Sequence, residues 1–321
     1  MEHARRALAE AERCGDEETM GKACYVLAYG CFWSGRPAEG VELARAAIAH
    51  LGRTAEQWWL GHAWWVLGVN HATLGQFDEA MEAEARTAAI GEAIGDQRLQ
   101  SVAASDRGAF QVMRGDFEAG LEACRRGLAL APDPVSATLS TGVLGGAYVE
   151  MGDFAQGIPL LERAVEAYQR FRVRQLEGWF TALLAEAHLQ RGALDQARAL
   201  ATDGLRITSE IGYRYGAGWA QRILGRVALA ARDLAEAERR LGEAHDTFSA
   251  MGARHEVART HLEQARLAHA RHDLAGAEAH LGEALTGFTA LAMPRYAERA
   301  QRLGMDLGIP LAGQHSDDEP P

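Results

Sequence analysis

Runs of small and apolar positions at helical spacing are interrupted, at a nearly fixed interval, by one short block. Its clearest copy is Gly75-Gln76-Phe77-Asp78-Glu79-Ala80: a glycine, a polar residue, an aromatic, two acids and a small residue. Related blocks start at Gly35, Gly115, Gly152, Gly192, Arg232 and His272, so the steps along the chain are 40, 40, 37, 40, 40 and 40 residues. Each block reads as the tight turn of a helical hairpin. Glycine suits the left-handed end of the first helix, and an acid just after it suits the electropositive start of the second. Units that bury their apolar faces only against their neighbours predict an all-α protein, an α-solenoid of antiparallel helix pairs.

The first helix of the second unit is predicted over about 55–73. It carries Trp64 and Leu67-Gly68, and Gly75, Phe77 and Ala80 follow. These residues match the tetratricopeptide (TPR) pattern, and parts of it return as Leu144-Gly145, Tyr148, Gly152 and Phe154, and as Leu224-Gly225, Leu234 and Ala237. The chain resembles TPR proteins over about residues 16–292. Its unit exceeds the usual 34 residues by about six, the extra length falling in the second helix and the corner after it, where Ile94-Gly95, Ile211-Gly212 and Met251-Gly252 recur. Long units of this kind resemble the C-terminal sensor arms of STAND regulatory ATPases, of maltose-regulator-type activators and of bacterial multidomain adenylate cyclases. The resemblance implies a right-handed superhelix serving as a regulatory or partner-binding arm.

Residues 1–16 correspond to the back half of a second helix, 17–292 to seven repeats, 293–310 to a capping helix opened by Pro294, and 311–321 to a disordered tail. Because the chain opens inside a repeat, an apolar face is expected there, covered by an upstream domain or a second copy. In the third unit Arg107-Gly108 replaces Leu-Gly, and Ala131-Pro132-Asp133-Pro134 must break the helix, so a kink is expected at that point.

Composition narrows the function. A net charge of −11, with Lys22 the single lysine among 33 basic residues, argues against nucleic-acid binding, which needs a basic stripe. No apolar run approaches the ~18 residues that span a bilayer, and the start MEHARRALAEAERC has no continuous apolar stretch, so a cytoplasmic protein without membrane contact is expected. Cys14, Cys24, Cys31 and Cys124 form no CxxC pair and are expected to be buried structural thiols. Catalytic motifs are near misses. Gly15–Lys22 is one residue too long for a phosphate loop, and His255-Glu256 is followed by Arg259 where a zinc protease needs histidine. The late histidines His255, His261, His269, His272 and His280 lack the further ligands of a metal site and are expected at the surface. No enzyme activity, metal or cofactor is predicted.

In a TPR superhelix the first helix of each unit lines the concave side. Aligning units on the turn glycine places Tyr25, Tyr29, Phe32 and Trp33 there, then His62 and Trp65, Trp179 and Glu186, Trp219, Arg222 and Arg226, and finally Arg259 and Arg266. Trp58 and Trp59 fall at the corner before. The aromatics read equally as an apolar binding patch or as packing against a missing helix or second chain. The four arginines read as an anion site for an acidic segment, or as partners of Glu186, Glu263 or Glu298. The leading expectation is a non-catalytic module that takes a protein or peptide segment in its groove. The alternatives are a small-effector sensor and a self-associating scaffold.

Overall fold

The computed structural model describes residues 1–309 and 311, so the expected disordered tail lies outside the described residues, Leu311 apart. Among the described residues there are sixteen α-helices and no strand. They are α1 (Glu2–Cys14), α2 (Glu17–Trp33), α3 (Pro37–Leu51), α4 (Gln57–Leu74), α5 (Phe77–Ile94), α6 (Gln97–Arg114), α7 (Phe117–Leu130) and α8 (Pro134–Glu150). The second half comprises α9 (Phe154–Phe171), α10 (Arg174–Gln190), α11 (Leu194–Glu210), α12 (Arg214–Ala230), α13 (Leu234–Met251), α14 (Arg254–Ala270), α15 (Leu274–Ala290) and α16 (Pro294–Asp306). Helices α2 to α15 pair as seven antiparallel hairpins stacked in a right-handed solenoid. Helix α4 starts two residues later than expected.

The recurring turn works by ending one helix and starting the next within two residues. At the α4–α5 turn Gly75 takes φ 78°, and the following Gln76 N–H donates back to the His71 carbonyl at 3.0 Å, using an acceptor the helix end would otherwise orphan. At other bends an aspartate sits in the next position and its carboxylate accepts a backbone N–H of the new helix, as Asp96 does from Leu99 at 3.0 Å and Asp273 from Gly276 at 2.9 Å. Arg232 and His272, which stand where other units have glycine, adopt the same left-handed conformation at φ 63°. In the third unit, Pro134 opens α8 with Asp133 as its cap, so α7 stops at Leu130.

Small residues set the helix spacing. A Cβ on Gly225 would lie 2.8 Å from Leu241, and one on Gly108 would lie 2.8 Å from the Gly120 carbonyl oxygen where α6 crosses α7. Phe77, 3% exposed, wedges between helices, and burying it is worth roughly 2–3 kcal/mol. Cys24, Cys31 and Cys124 are buried as expected, whereas Cys14 is exposed at the end of α1, where few side chains cover the helix. Helix α1 turns Ala11, and in part Leu8, toward α2 and shows mainly Glu2, Arg5, Arg6, Glu12 and Arg13 outward, so its outer face is charged where an apolar one was expected.

After four to five units the superhelix completes a turn and meets itself. The Trp33 ring packs on Tyr213 at 4.7 Å, and Phe77 on His255 at 5.3 Å. Arg295 reaches Glu118 at 2.7 Å, and Arg299 donates to the Glu150 carbonyl at 3.0 Å. The turns after α2, α4 and α6 thus seat on the corners before α12, α14 and α16. The concave side becomes a laterally closed channel instead of an open groove.

Candidate functional site

The channel holds two chambers. The first, about 620 Å³, is walled by Tyr29, Phe32 and Trp33 of α2, His62 and Trp65 of α4, Phe110 and Met113 of α6, and Trp179, Tyr215 and Trp219 from the next superhelical turn. Phe32 and Trp33 are held by Tyr213, so their aromatic partner is the chain's own next turn. Tyr25 does not line this chamber. It stacks beside Tyr29 and meets Trp59 edge-on at 5.5 Å, part of a rim where Trp58 is 46% exposed.

One acid sits among these rings. Asp106 of α6 is 7% exposed, and its Oδ2 accepts the Trp65 indole N–H at 2.7 Å. Burial pushes its carboxyl up to about 6, against the lowering effect of that hydrogen bond. Its Oδ1 has no hydrogen-bond partner among the described residues. The indole N–H groups of Trp179 and Trp219 are likewise buried without an acceptor. Such groups cost free energy unless something pairs with them. His62 donates from Nδ1 to the Trp58 carbonyl, 2.9 Å away, and burial lowers its pKa, which favours the neutral ring.

The second chamber, about 820 Å³, collects Glu186, Arg222, Arg226, Arg259 and Arg266, with Trp219 shared between the two. Its arginines are largely neutralised within the chain. Arg222 pairs with Glu256, Arg226 lies between Glu186 and Glu263, and Arg259 is near Glu150 and Glu256 while donating to the Tyr296 hydroxyl. Arg266, half exposed, approaches Glu263 at 3.5 Å. Glu298 is not among these partners; Glu150 and Glu256 take that part. Arg259 also donates to the Met113 carbonyl at 3.1 Å, so Met113, Trp219 and Arg259 form a waist between the chambers.

Beneath the waist lies a buried network that reading the sequence missed. Tyr215 donates to Glu256 at 3.0 Å and lies 2.9 Å from His255 Nε2, which then donates to the phenol oxygen. Burial alone would push Glu256 up, but Arg222 and Arg259 hold its carboxyl well below the usual carboxylate range. His255 is fully buried, contrary to its expected surface position, because the closing superhelical turn places Phe77 over it. His261 and His280 are also drawn in, their Nδ1 atoms 3.1 Å apart between α14 and α15. Asp106 was missed because it falls one position outside the inward register. Its one sequence signal is a carboxylate among the small residues of Ser101-Val102-Ala103-Ala104-Ser105. Among the described residues no cluster of three or more His, Cys, Asp or Glu is arranged to hold a metal ion, and no helix is long and apolar enough to cross a membrane.

No protein-family model matches the chain, and no curated protein matches it in sequence. Its fold does have relatives, and they show a TPR-like helical-repeat fold. It is similar to NprR in complex with its cognate peptide NprX, at TM-score 0.65 and 11% identity, covering 96% of this chain and 94% of that one. It is also similar to a Rap protein complexed with competence and sporulation factor, at TM-score 0.65, 11% identity and 89% and 81% coverage. A STAND signal-transduction ATPase with a tetratricopeptide repeat sensor from Pyrococcus horikoshii matches at TM-score 0.54 and 15% identity; the match covers 82% of this chain and 42% of that protein.

Proposed function

We propose that this protein is a non-catalytic binding module whose inner channel receives a short linear peptide, and that it serves as the sensing arm of a regulatory system. The observation that carries the reading is the channel itself: one chamber with aromatic walls and buried N–H groups left without acceptors, continuous at Trp219 with a chamber of charged side chains. Aromatic anchors in desolvated pockets with a few polar contacts are what peptide recognition uses. The fold likeness to NprR, described with its cognate peptide, supports the same reading.

Titration of the protein with a library of five- to eight-residue peptides, followed by intrinsic tryptophan fluorescence, tests it. Trp179→Ala is expected to weaken any peptide that binds by about thirtyfold or more, since hot-spot truncations cost about 2 kcal/mol or more. A library that gives no saturable response defeats the peptide reading. A small effector is the second reading, favoured by the closed walls and by a first-chamber volume within the usual range for small-molecule pockets, ~300–1,000 Å³. Arg266→Glu probes the charged chamber better than changes at Arg222, whose loss would leave Glu256 buried without its nearest cation.

A further inference from the structure

We propose that the aromatic chamber is a receptor for a cationic amine carried on an apolar body, with Asp106 as its counter-ion. This rests on the reading of the channel as a ligand site and names the chemistry of the ligand's anchoring end: the amino terminus or a basic side chain of the peptide, or the amine of a small effector.

Asp106 is the one charged side chain buried in the first chamber's wall without an ionic partner among the described residues. The other two charges there, Arg98 and Asp133, neutralise each other across 2.9 Å. Only Trp65 is hydrogen-bonded to Asp106, and it reaches a single oxygen, leaving Oδ1 open to a further donor. The rings beside it are electron-rich. Tyr29 lies 5.4 Å from Trp65, and the Tyr29 and Tyr168 hydroxyls both feel the Asp106 charge. An ammonium entering this space would meet a carboxylate and aromatic faces together, the two features that hold organic cations in desolvated sites. With its carboxyl at about 6, Asp106 is ionised at neutral pH. The arginines expected to attract an acidic ligand already have carboxylates beside them in the other chamber.

The test compares 2-phenylethylammonium with its neutral counterpart 2-phenylethanol, titrated at pH 7.5 into the full chain and followed by tryptophan fluorescence. The amine is expected to bind at least tenfold more tightly than the alcohol. Asp106→Asn, which keeps an acceptor for Trp65, is expected to abolish that preference, and Asp195→Asn, at an exposed aspartate of α11 outside both chambers, to leave it intact. Circular dichroism confirms that each variant is folded. Equal binding of the two probes, no saturable binding of the amine, or a preference that survives Asp106→Asn overturns the proposal. Its fate is separable from that of the peptide reading. Amine selectivity without any peptide binding keeps the cation site and sinks the peptide, whereas peptides that bind equally well after amino-terminal acetylation and lysine removal, and equally well to Asp106→Asn, do the reverse.

Discussion

The Trp65 indole donates to the Asp106 carboxylate across 2.7 Å, tying α4 to α6 and fixing one acid inside an aromatic wall. Burial raises this carboxyl from 3.8 to about 6, so between those values the folded state holds the proton more strongly than the unfolded chain. Stability from this group is therefore greatest below about pH 4, declines as pH rises to about 6, and is flat above. The ionisable groups coupled to it are Glu84, which burial holds well above the usual carboxylate range, and Tyr29, Cys124 and Tyr168, whose pKa values burial raises. His62, on the same wall, is lowered by burial. Asp106→Asn is expected to be about 2–3 kcal/mol more stable than the parent at pH 7 and equal to it below pH 4, which urea unfolding across this range checks.

His261 works in the opposite direction. Burial, together with His245 and His280, lowers it to about 4, so the unfolded chain binds the proton more strongly between there and 6.5. Its contribution is complete above 6.5 and is lost as pH falls through about 4. His261→Gln is expected to flatten the acid side of the stability profile, measured by the same unfolding series.

Glu256 is buried between Arg222 and Arg259 and accepts from Tyr215. Glu256→Ala leaves buried Arg222 without its paired carboxylate and Arg259 with only Glu150, and is expected to cost about 3–5 kcal/mol. Glu256→Gln, which retains an acceptor, is expected to lose less. Denaturant midpoints at unchanged slope distinguish them.

Arg232 and His272 hold φ 63°, a conformation that glycine adopts without strain. Arg232→Gly and His272→Gly are each expected to change stability upward by about 0.5–1 kcal/mol, the relieved strain outweighing the added freedom of the unfolded chain. Gly75→Ala is expected to lose more than about 1 kcal/mol, since its added Cβ would also lie 3.2 Å from His255. Thermal melts resolve both signs.

Tyr296, 2% exposed, packs on Phe117 and Phe288 and donates to Glu150 at 3.1 Å, locking α16 to the preceding superhelical turn. Tyr296→Ala is expected to cost about 3–5 kcal/mol and to increase the radius of gyration in small-angle scattering while helix content by circular dichroism stays nearly constant. Loss of helix content in parallel would show that closure and hairpin folding are one event.

The hairpins were legible because their causes are local. Glycine at most turns, an acid soon after it and small residues where helices cross act over a few residues and return at a nearly fixed interval, so helix order and an expected inward register followed from the sequence alone. Tyr29, Trp65 and Trp179 reach the chamber by that register. Asp106, Tyr213 and Tyr215 do not obey it, and His255 belongs to a contact between Phe77 and a residue nearly 180 positions later. Those placements depend on the angle between successive hairpins summed over a whole superhelical turn. A small rotation per unit decides whether the first and sixth units meet, and no single block encodes it. Thus the sequence determined what each hairpin is, and only the tertiary structure decided that the stack closes on itself, buries an acid among aromatics and lays carboxylates beside its inner arginines.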